Sequence, residues 1–195
     1  MLVAGCAHHR FDEPEKWAKE FDDPSRDAWQ KPIEVMLALE LGPEPRIVDL
    51  GSGTGYFAMR LAHAFPQGWV YGLDVEPAMT QYLEDRAARE ERDNLIAITT
   101  PEDHAALPEP VDCVLVVNTY HHLEDRVAYF TLLKNGGLLP GGKLVIIDFN
   151  QTSAMGPPKE HRLLAEQVEA ELKQAGFTLV AHPDFLPNQY FLVFQ

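Results

Sequence analysis

The chain of 195 residues holds two cysteines, Cys6 and Cys113, and Cys113 sits inside an apolar run. That scarcity excludes a disulfide framework or a cluster of thiolates around a metal as the organising device, and no metal site is expected. No stretch approaches the roughly 20 apolar residues that a membrane-spanning helix requires. Basic residues are also scarce: 16 Lys and Arg stand against 30 Asp and Glu, for a net charge of −14. Such a surface repels phosphate backbones and anionic headgroups, which argues against nucleic acid or a lipid face as a target. Ordinary solubility is the simpler role of the charge. Internal repeats, low-complexity tracts and a second domain are not seen. The length suits one domain with a real core. Residues 1–23 read as a flexible polar segment and residues 24–195 as one unit, expected in the cytoplasm.

The first residues carry one ambiguity. Val3-Ala4-Gly5-Cys6 matches the processing box of a bacterial lipoprotein, yet only five residues precede the cysteine, fewer than a working signal needs. Either the match is accidental, or the true start lies upstream of Cys6 and the chain is exported. His8 and His9 form a weak metal-binding pair and read more simply as solvated.

What is present is a sharp strand–loop–helix signal. The apolar stretch Arg46-Ile47-Val48 ends in Asp49, breaks into Gly51-Ser52-Gly53-Thr54-Gly55, and opens an amphipathic helix over 56–65. Glycine permits a tight turn and lets a ligand approach the backbone closely. A dinucleotide fingerprint places glycine at the first, third and sixth positions. Counting from Gly51, the sixth is Tyr56, which disfavours a nicotinamide-dependent oxidoreductase. The Asp49 carboxylate suits a ligand carrying an ammonium and a sulfonium and would repel a pyrophosphate. Read locally, the loop is a pocket for S-adenosylmethionine; the competing reading is a tight turn without a ligand.

Around the loop, strands alternate with helices. From Asp27, the apolar positions Trp29, Ile33, Met36, Leu37 and Leu41 recur at helical spacing until Gly42-Pro43, with Pro32 either in the first turn or at a kink. Strands are expected over 69–73, 95–98, 113–117, 143–147, 178–181 and 190–194. Helices are expected over 77–92, 126–139 and 160–175, with Gly141-Gly142 as a turn. This alternation predicts an α/β fold, a parallel doubly wound sheet with helices on both faces. Only 184–189 separates the last two strands, too short for a crossover helix, so they should form an antiparallel hairpin at one edge.

In such a sheet, ligands sit beyond the carboxyl ends of the strands, so the residues following each strand are the candidates. Asp74 lies about 20 positions past the loop, the spacing of an acid that accepts from ribose hydroxyls; its rival role is to start the helix that follows. After the third strand, an acid of the Glu102-Asp103 pair is placed to accept from an adenine amino group, or is simply solvated. After the fourth strand, Asn118-Thr119-Tyr120-His121-His122 is the densest polar cluster at any strand end. Asp148 follows the fifth.

Asp49-Leu50-Gly51-Ser52-Gly53-Thr54-Gly55, Gly72-Leu73-Asp74, the segment from Glu102-Asp103 to Leu107-Pro108, and Leu139-Pro140-Gly141-Gly142 together resemble class I S-adenosylmethionine-dependent methyltransferases. The likeness runs over about residues 26–195 and is nearest to the branch of ubiquinone and menaquinone C-methyltransferases and to small uncharacterised members. It implies a Rossmann-like seven-stranded sheet with an antiparallel final strand. It also implies a donor site of Asp49, Gly51, Ser52, Gly53 and Gly55 near the methionine moiety, with Asp74 on the ribose. Val75 would flank adenine, Glu102 or Asp103 would face its amino group, and Asn118 would lie near the methionine end. Many relatives carry a small residue after the third-motif acid; here it is His104, which leaves the choice between Glu102 and Asp103 open.

Methyl transfer from a sulfonium is an in-line displacement, so the protein mainly positions the acceptor and excludes water. A base is needed only where the acceptor loses a proton, and histidine suits that task near neutral pH. His121 and His122 are the catalytic candidates, with Tyr120 as an orienting donor; alternatively, the histidines only cap the helix near Asp125. The segment 21–29 is placed to fold over the pocket, with Arg26 meeting the donor carboxylate or pairing with Asp22, Asp23 or Asp27. The expected function is methyl transfer to a small-molecule acceptor; the rival is a non-catalytic S-adenosylmethionine or S-adenosylhomocysteine sensor on the same fold.

Overall fold

The computed structural model describes residues 12–195; Cys6, His8 and His9 lie outside the described residues. One sheet holds seven strands in the order β3-β2-β1-β4-β5-β7-β6. Its parallel part comprises β1 (Arg46–Leu50), β2 (Trp69–Asp74), β3 (Leu95–Thr99), β4 (Val111–Val117) and β5 (Leu138–Phe149). Antiparallel β7 (Gln189–Phe194) inserts between β5 and the short edge strand β6 (Leu179–Ala181). The order reverses between β1 and β4, and a crevice for ligands belongs at that point, beyond the strand ends.

Alternation along the strands builds a core on each face. Cys113, Leu115 and Val117 of β4 join Val145, Ile147 and Phe191 on one side. There, α4 (Tyr56–Ala64) adds Phe57 and Leu61, and α5 (Pro77–Arg89) adds Leu83. Val114 and Val116 join Leu144, Ile146 and Leu192 on the other face, covered by Phe130 and Leu133 of α6 (Arg126–Gly136) and Leu172 of α7 (Ala165–Gln174). Because both faces are covered, the strands read as unbroken apolar runs. Each fully buried aliphatic side chain contributes about 1.5–3 kcal/mol.

The amino-terminal part departs from the sequence reading. Residues 14–21, within the segment read as flexible, form α1 (Pro14–Phe21). The single helix read from Asp27 onward is two, α2 (Arg26–Gln30) and α3 (Pro32–Ala38). Pro32 lacks the N–H that would continue a helix and crowds the residue before it. Lys31 accordingly turns left-handed at φ +46, and Pro32 opens α3. The break rotates α3 so that Val35 and Leu39 are buried, while Ile33 and Leu37 stay 66% and 72% exposed.

Other boundaries shift locally. Gly141 and Gly142, read as a turn, lie within β5, whose register against β4 slips between Val111 and Cys113. The helix read from 160 begins at Ala165, after a single 3₁₀ turn over Lys159–His161. Arg162 organises that stretch by donating to the carbonyls of Pro157, Asn150, Ser153 and Met155.

Candidate active site

The loop between β1 and α4 is drawn tightly against its neighbours. Gly51 and Ser52 donate their N–H groups to the Leu73 carbonyl at 2.7 and 2.9 Å, tying the loop to the end of β2. Gly51 adopts φ +75, and a methyl there would fall 2.2 Å from Thr119 Oγ1, so the loop touches the segment after β4 across the reversal point. Gly53 adopts φ +52, and a methyl on it would meet the Phe21 ring at 3.5 Å. The end of α1 therefore covers the loop. Asp22, next in the chain, pairs with Arg86 of α5 at 3.0 Å and holds this cover in place.

Two carboxylates flank the loop. Asp49, buried at 3% exposure, accepts from the Ala58 N–H of α4 at 2.9 Å. Burial pushes its pKa up to about 7; the Ala58 bond and the Arg26 guanidinium oppose this, and Asp74 adds to it. Asp74 accepts from the Gly53 N–H at 2.8 Å and from the Glu76 N–H at 3.0 Å. The second bond is the helix-start role, since Glu76 precedes α5; the first braces the glycine loop. Burial holds the Asp74 carboxyl above its ordinary value, and both backbone bonds work against it.

Arg26 forms no ion pair with Asp22, Asp23 or Asp27. Its guanidinium stacks over the Tyr56 ring at 3.8 Å and donates to the Phe21 carbonyl at 2.8 Å. Asp22 and Asp27 are engaged by Arg86 and Arg60. Burial brings the Arg26 pKa down to about 10, with Tyr56 and Asp49 opposing.

The third motif stays open. Glu102 and Asp103 are exposed, and Asp103 sits 2.7 Å from its neighbour His104 Nδ1 with 85% of its side chain accessible. Val75 is also exposed, at 43%.

Beyond β4, Asn118 adopts φ +57, a left-handed turn that asparagine tolerates better than most residues. A 3₁₀ turn over Tyr120–His122 follows. His121 Nδ1 lies 3.0 and 2.8 Å from the two oxygens of Asp148, and both side chains are nearly inaccessible. His122 is exposed and its ring lies 4.1 Å from that of His121. Tyr120 does not join them. It is fully buried, stacks on Phe130 at 5.3 Å and donates to Glu171 Oε2 of α7 at 2.9 Å, so the orienting role expected of its hydroxyl is corrected to an anchor between the turn and α7.

Asp148 was visible in the sequence only as a strand-end acid; its histidine partner comes from β4 and β5 lying side by side. Gln30 and Gln189 escaped notice altogether. Gln30 is fully buried and Gln189 is 4% exposed, and both sit at element ends. A glutamine inside an otherwise apolar strand start was the available signal.

Concavities of about 450 and 460 Å³ open at the amino ends of the strands, one beside Pro43, Asp112 and Gly142, the other beside Ala62, Pro66 and Asn94. Neither touches the glycine loop.

A reversed doubly wound sheet with an acid-flanked glycine loop at its switch point defines a class I methyltransferase fold. Residues 48–144 match the family described as a methyltransferase domain, and the chain belongs to the S-adenosylmethionine-dependent methyltransferases. It is 34% identical over 118 residues to a demethylmenaquinone methyltransferase of Thermus thermophilus, covering 59% of this chain and 51% of that one. It is 32% identical over 114 residues to a malonyl-[acyl-carrier protein] O-methyltransferase of Hahella chejuensis, covering 57% and 38%. The chain thus spans about half or less of these curated relatives. A SAM dependent methyltransferase from Aquifex aeolicus superimposes with a TM-score of 0.86 at 25% identity, covering 93% of this chain and 97% of that one. Among the described residues, no helix is long and apolar enough to cross a membrane.

Proposed function

We propose that this protein transfers a methyl group from S-adenosylmethionine to a small-molecule acceptor by in-line displacement. The observation that carries the reading is the buried Asp49 carboxylate beside a positive-φ glycine loop. A cation is the ligand that restores Asp49 to its ionised form, because an opposite charge offsets burial. The loop also fits a ligand in its polar detail. Among the described residues, Ser52 Oγ and Thr54 Oγ1 are buried without a hydrogen-bond partner, and a buried hydroxyl of this kind calls for one.

In this reading, Gly51, Ser52, Gly53 and Gly55 cradle the methionine portion and Asp74 holds the ribose through the lone pairs not used by Gly53 and Glu76. Val75 covers adenine, with Glu102 or Asp103 on its amino group. S-adenosylmethionine supplies a methyl already activated by its sulfonium. The chain's task is then to orient the acceptor and, where required, remove its proton. His121 is the base. Asp148 accepts a hydrogen bond from Nδ1–H, which fixes the tautomer and leaves Nε2 as the basic nitrogen. His122 lies beside it, its ring tilted by 39°, at the exposed side. The acidic surface favours neutral or cationic acceptors over nucleic acid.

Calorimetry with S-adenosylmethionine, S-adenosylhomocysteine and NAD tests the donor. Binding of the first two without NAD is expected. S-adenosylhomocysteine release over a small-molecule acceptor library tests turnover, and its absence with every acceptor would leave a sensor.

A further inference from the structure

A line of amides crosses the molecule from the amino-terminal helices to the strand ends. Arg26 Nε and Nη2 each lie 3.3 Å from Gln30 Oε1. Gln30 Nε2 donates to Gln189 Oε1 at 2.6 Å, and Gln189 Nε2 donates to Asn118 Oδ1 at 2.5 Å.

The direction of this line is set at one end. A guanidinium has only donors, so the Gln30 atom facing Arg26 must be its oxygen. Gln30 then turns its NH₂ to Gln189, whose oxygen must face it, and the Gln189 NH₂ in turn requires the Asn118 oxygen. Every amide is oriented by the one before it. Asn118 is left with Oδ1 engaged and Nδ2 pointing away from the relay. No acceptor among the described residues takes the Nδ2 protons, and Asn118 is only half-buried.

The relay lies on the side of the crevice opposite Asp74. It joins the ends of β4 and β7, while the glycine loop and Asp74 belong to β1 and β2. Gln189 pairs in register with Phe149, Trp29 packs on Phe149 at 5.8 Å, and Asp148 with its histidine precedes Phe149. Asn118 therefore belongs to the β4–β7 side of the crevice, the side that also carries Trp29, Phe149 and the His121–Asp148 pair, and not to the side of the ribose acid.

We infer that Arg26, Gln30 and Gln189 form a polarity-fixing relay that presents Asn118 Nδ2 as a donor to the methyl acceptor, selecting acceptors with a carbonyl-type oxygen next to the reacting atom. Asn118 is the specificity residue; the other three are positioning residues. The inference rests on the methyl-transfer reading for the identity of the bound molecule. The polarity of the relay stands without it.

The test uses the full, ¹⁵N-labelled chain saturated with S-adenosylhomocysteine, titrated with two neutral probes. Acetophenone offers only an acceptor oxygen, and aniline offers a donor. Acetophenone should shift the Asn118 Nδ2H₂ resonances saturably, and aniline should not. Gln189→Glu keeps the size of the side chain but accepts at both ends, so Asn118 must turn its NH₂ inward and expose Oδ1. Acetophenone affinity should then fall roughly tenfold, one lost hydrogen bond's worth, with S-adenosylhomocysteine affinity unchanged. Gln189→Met, uncharged, should give a smaller loss and guards against misfolding of the first variant. An Asn118 signal that answers S-adenosylhomocysteine and ignores acetophenone would assign the donor to the methionine carboxylate and overturn the proposal. So would undiminished ketone binding in both variants. If S-adenosylhomocysteine fails to bind at all, the methyl-transfer reading falls, and the same ketone titration on the free protein still decides the relay.

Discussion

Phe21 lies over Gly53: a methyl on that glycine would touch the ring at 3.5 Å. The amino-terminal helix is thus part of the site wall. At φ +52, any side chain at this position strains the backbone as well as pressing on the ring. Gly53→Val should remove detectable S-adenosylhomocysteine binding in calorimetry while the far-UV circular dichroism stays native. Phe21→Ala should instead keep equilibrium binding within about tenfold and speed dissociation, read by stopped-flow quenching of tryptophan fluorescence. Unchanged affinity in Gly53→Val would remove the loop from the donor site.

Asp74 does two things at once, holding the Gly53 and Glu76 N–H groups. Asp74→Ala should weaken S-adenosylhomocysteine binding by about 1.5–3 kcal/mol, the scale of a charged acceptor. A deoxyribose analogue should lose less. Equal losses for both ligands would mean that the residue acts only by bracing the loop and the start of α5.

Asp49 makes stability and binding oppose each other. Its folded-state pKa lies near 7 against an ordinary 3.8, so the folded protein prefers the protonated acid. Below pH 4 the folded and unfolded states hold the same proton. As pH rises from about 4 to 7, the unfolded chain ionises first and stability falls. Asp49→Asn, which can still accept from Ala58, should therefore raise the melting temperature at pH 8 more than at pH 5, by up to about 4 kcal/mol in stability. Affinity for the cationic donor should rise with pH through about 7 in the wild type and lose that dependence in Asp49→Asn. A flat affinity profile in the wild type would argue against a charge contact.

His121→Ala should leave donor affinity within a few tenths of a kcal/mol and lower turnover of a true acceptor by roughly 10²-fold or more. Asp148→Asn removes the charge that favours Nδ1–H while keeping the size of the side chain, so its loss of turnover should be partial. Recovery of the His121→Ala rate in more basic buffer would mark proton removal as the lost function; no recovery would mark positioning. Full activity in His121→Ala, His122→Ala and the double variant would move the chemistry elsewhere.

The sheet was legible because burial on both faces writes each parallel strand as an apolar run, as in residues 113–117, and because the 184–189 link is too short to do anything but reverse. The donor loop was legible for a related reason: glycines and an acid at one strand end are local in sequence. The acceptor side was not. His121 meets Asp148 27 positions away and Gln30 meets Gln189 159 positions away, and neither pairing leaves a periodic trace. Tyr120 was misread because one polar cluster at a strand end looked uniform, whereas a 3₁₀ turn sends adjacent side chains in different directions. Lys31 shows the same limit within one helix, where a single proline turned the apolar stripe of α3 through a different face.

Cys113 sits fully buried in β4, a strand flanked by β1 and β5, and burial pushes its thiol up to about 12. A thiol so protonated and so enclosed is inert to alkylating reagents while the sheet is intact. Reaction requires the central strands to part, an event that fraying of the edge strand β6 does not produce. In a Cys6→Ser background, the rate of iodoacetamide labelling therefore clocks global opening of the molecule, from a reporter that evolution has already placed at its centre.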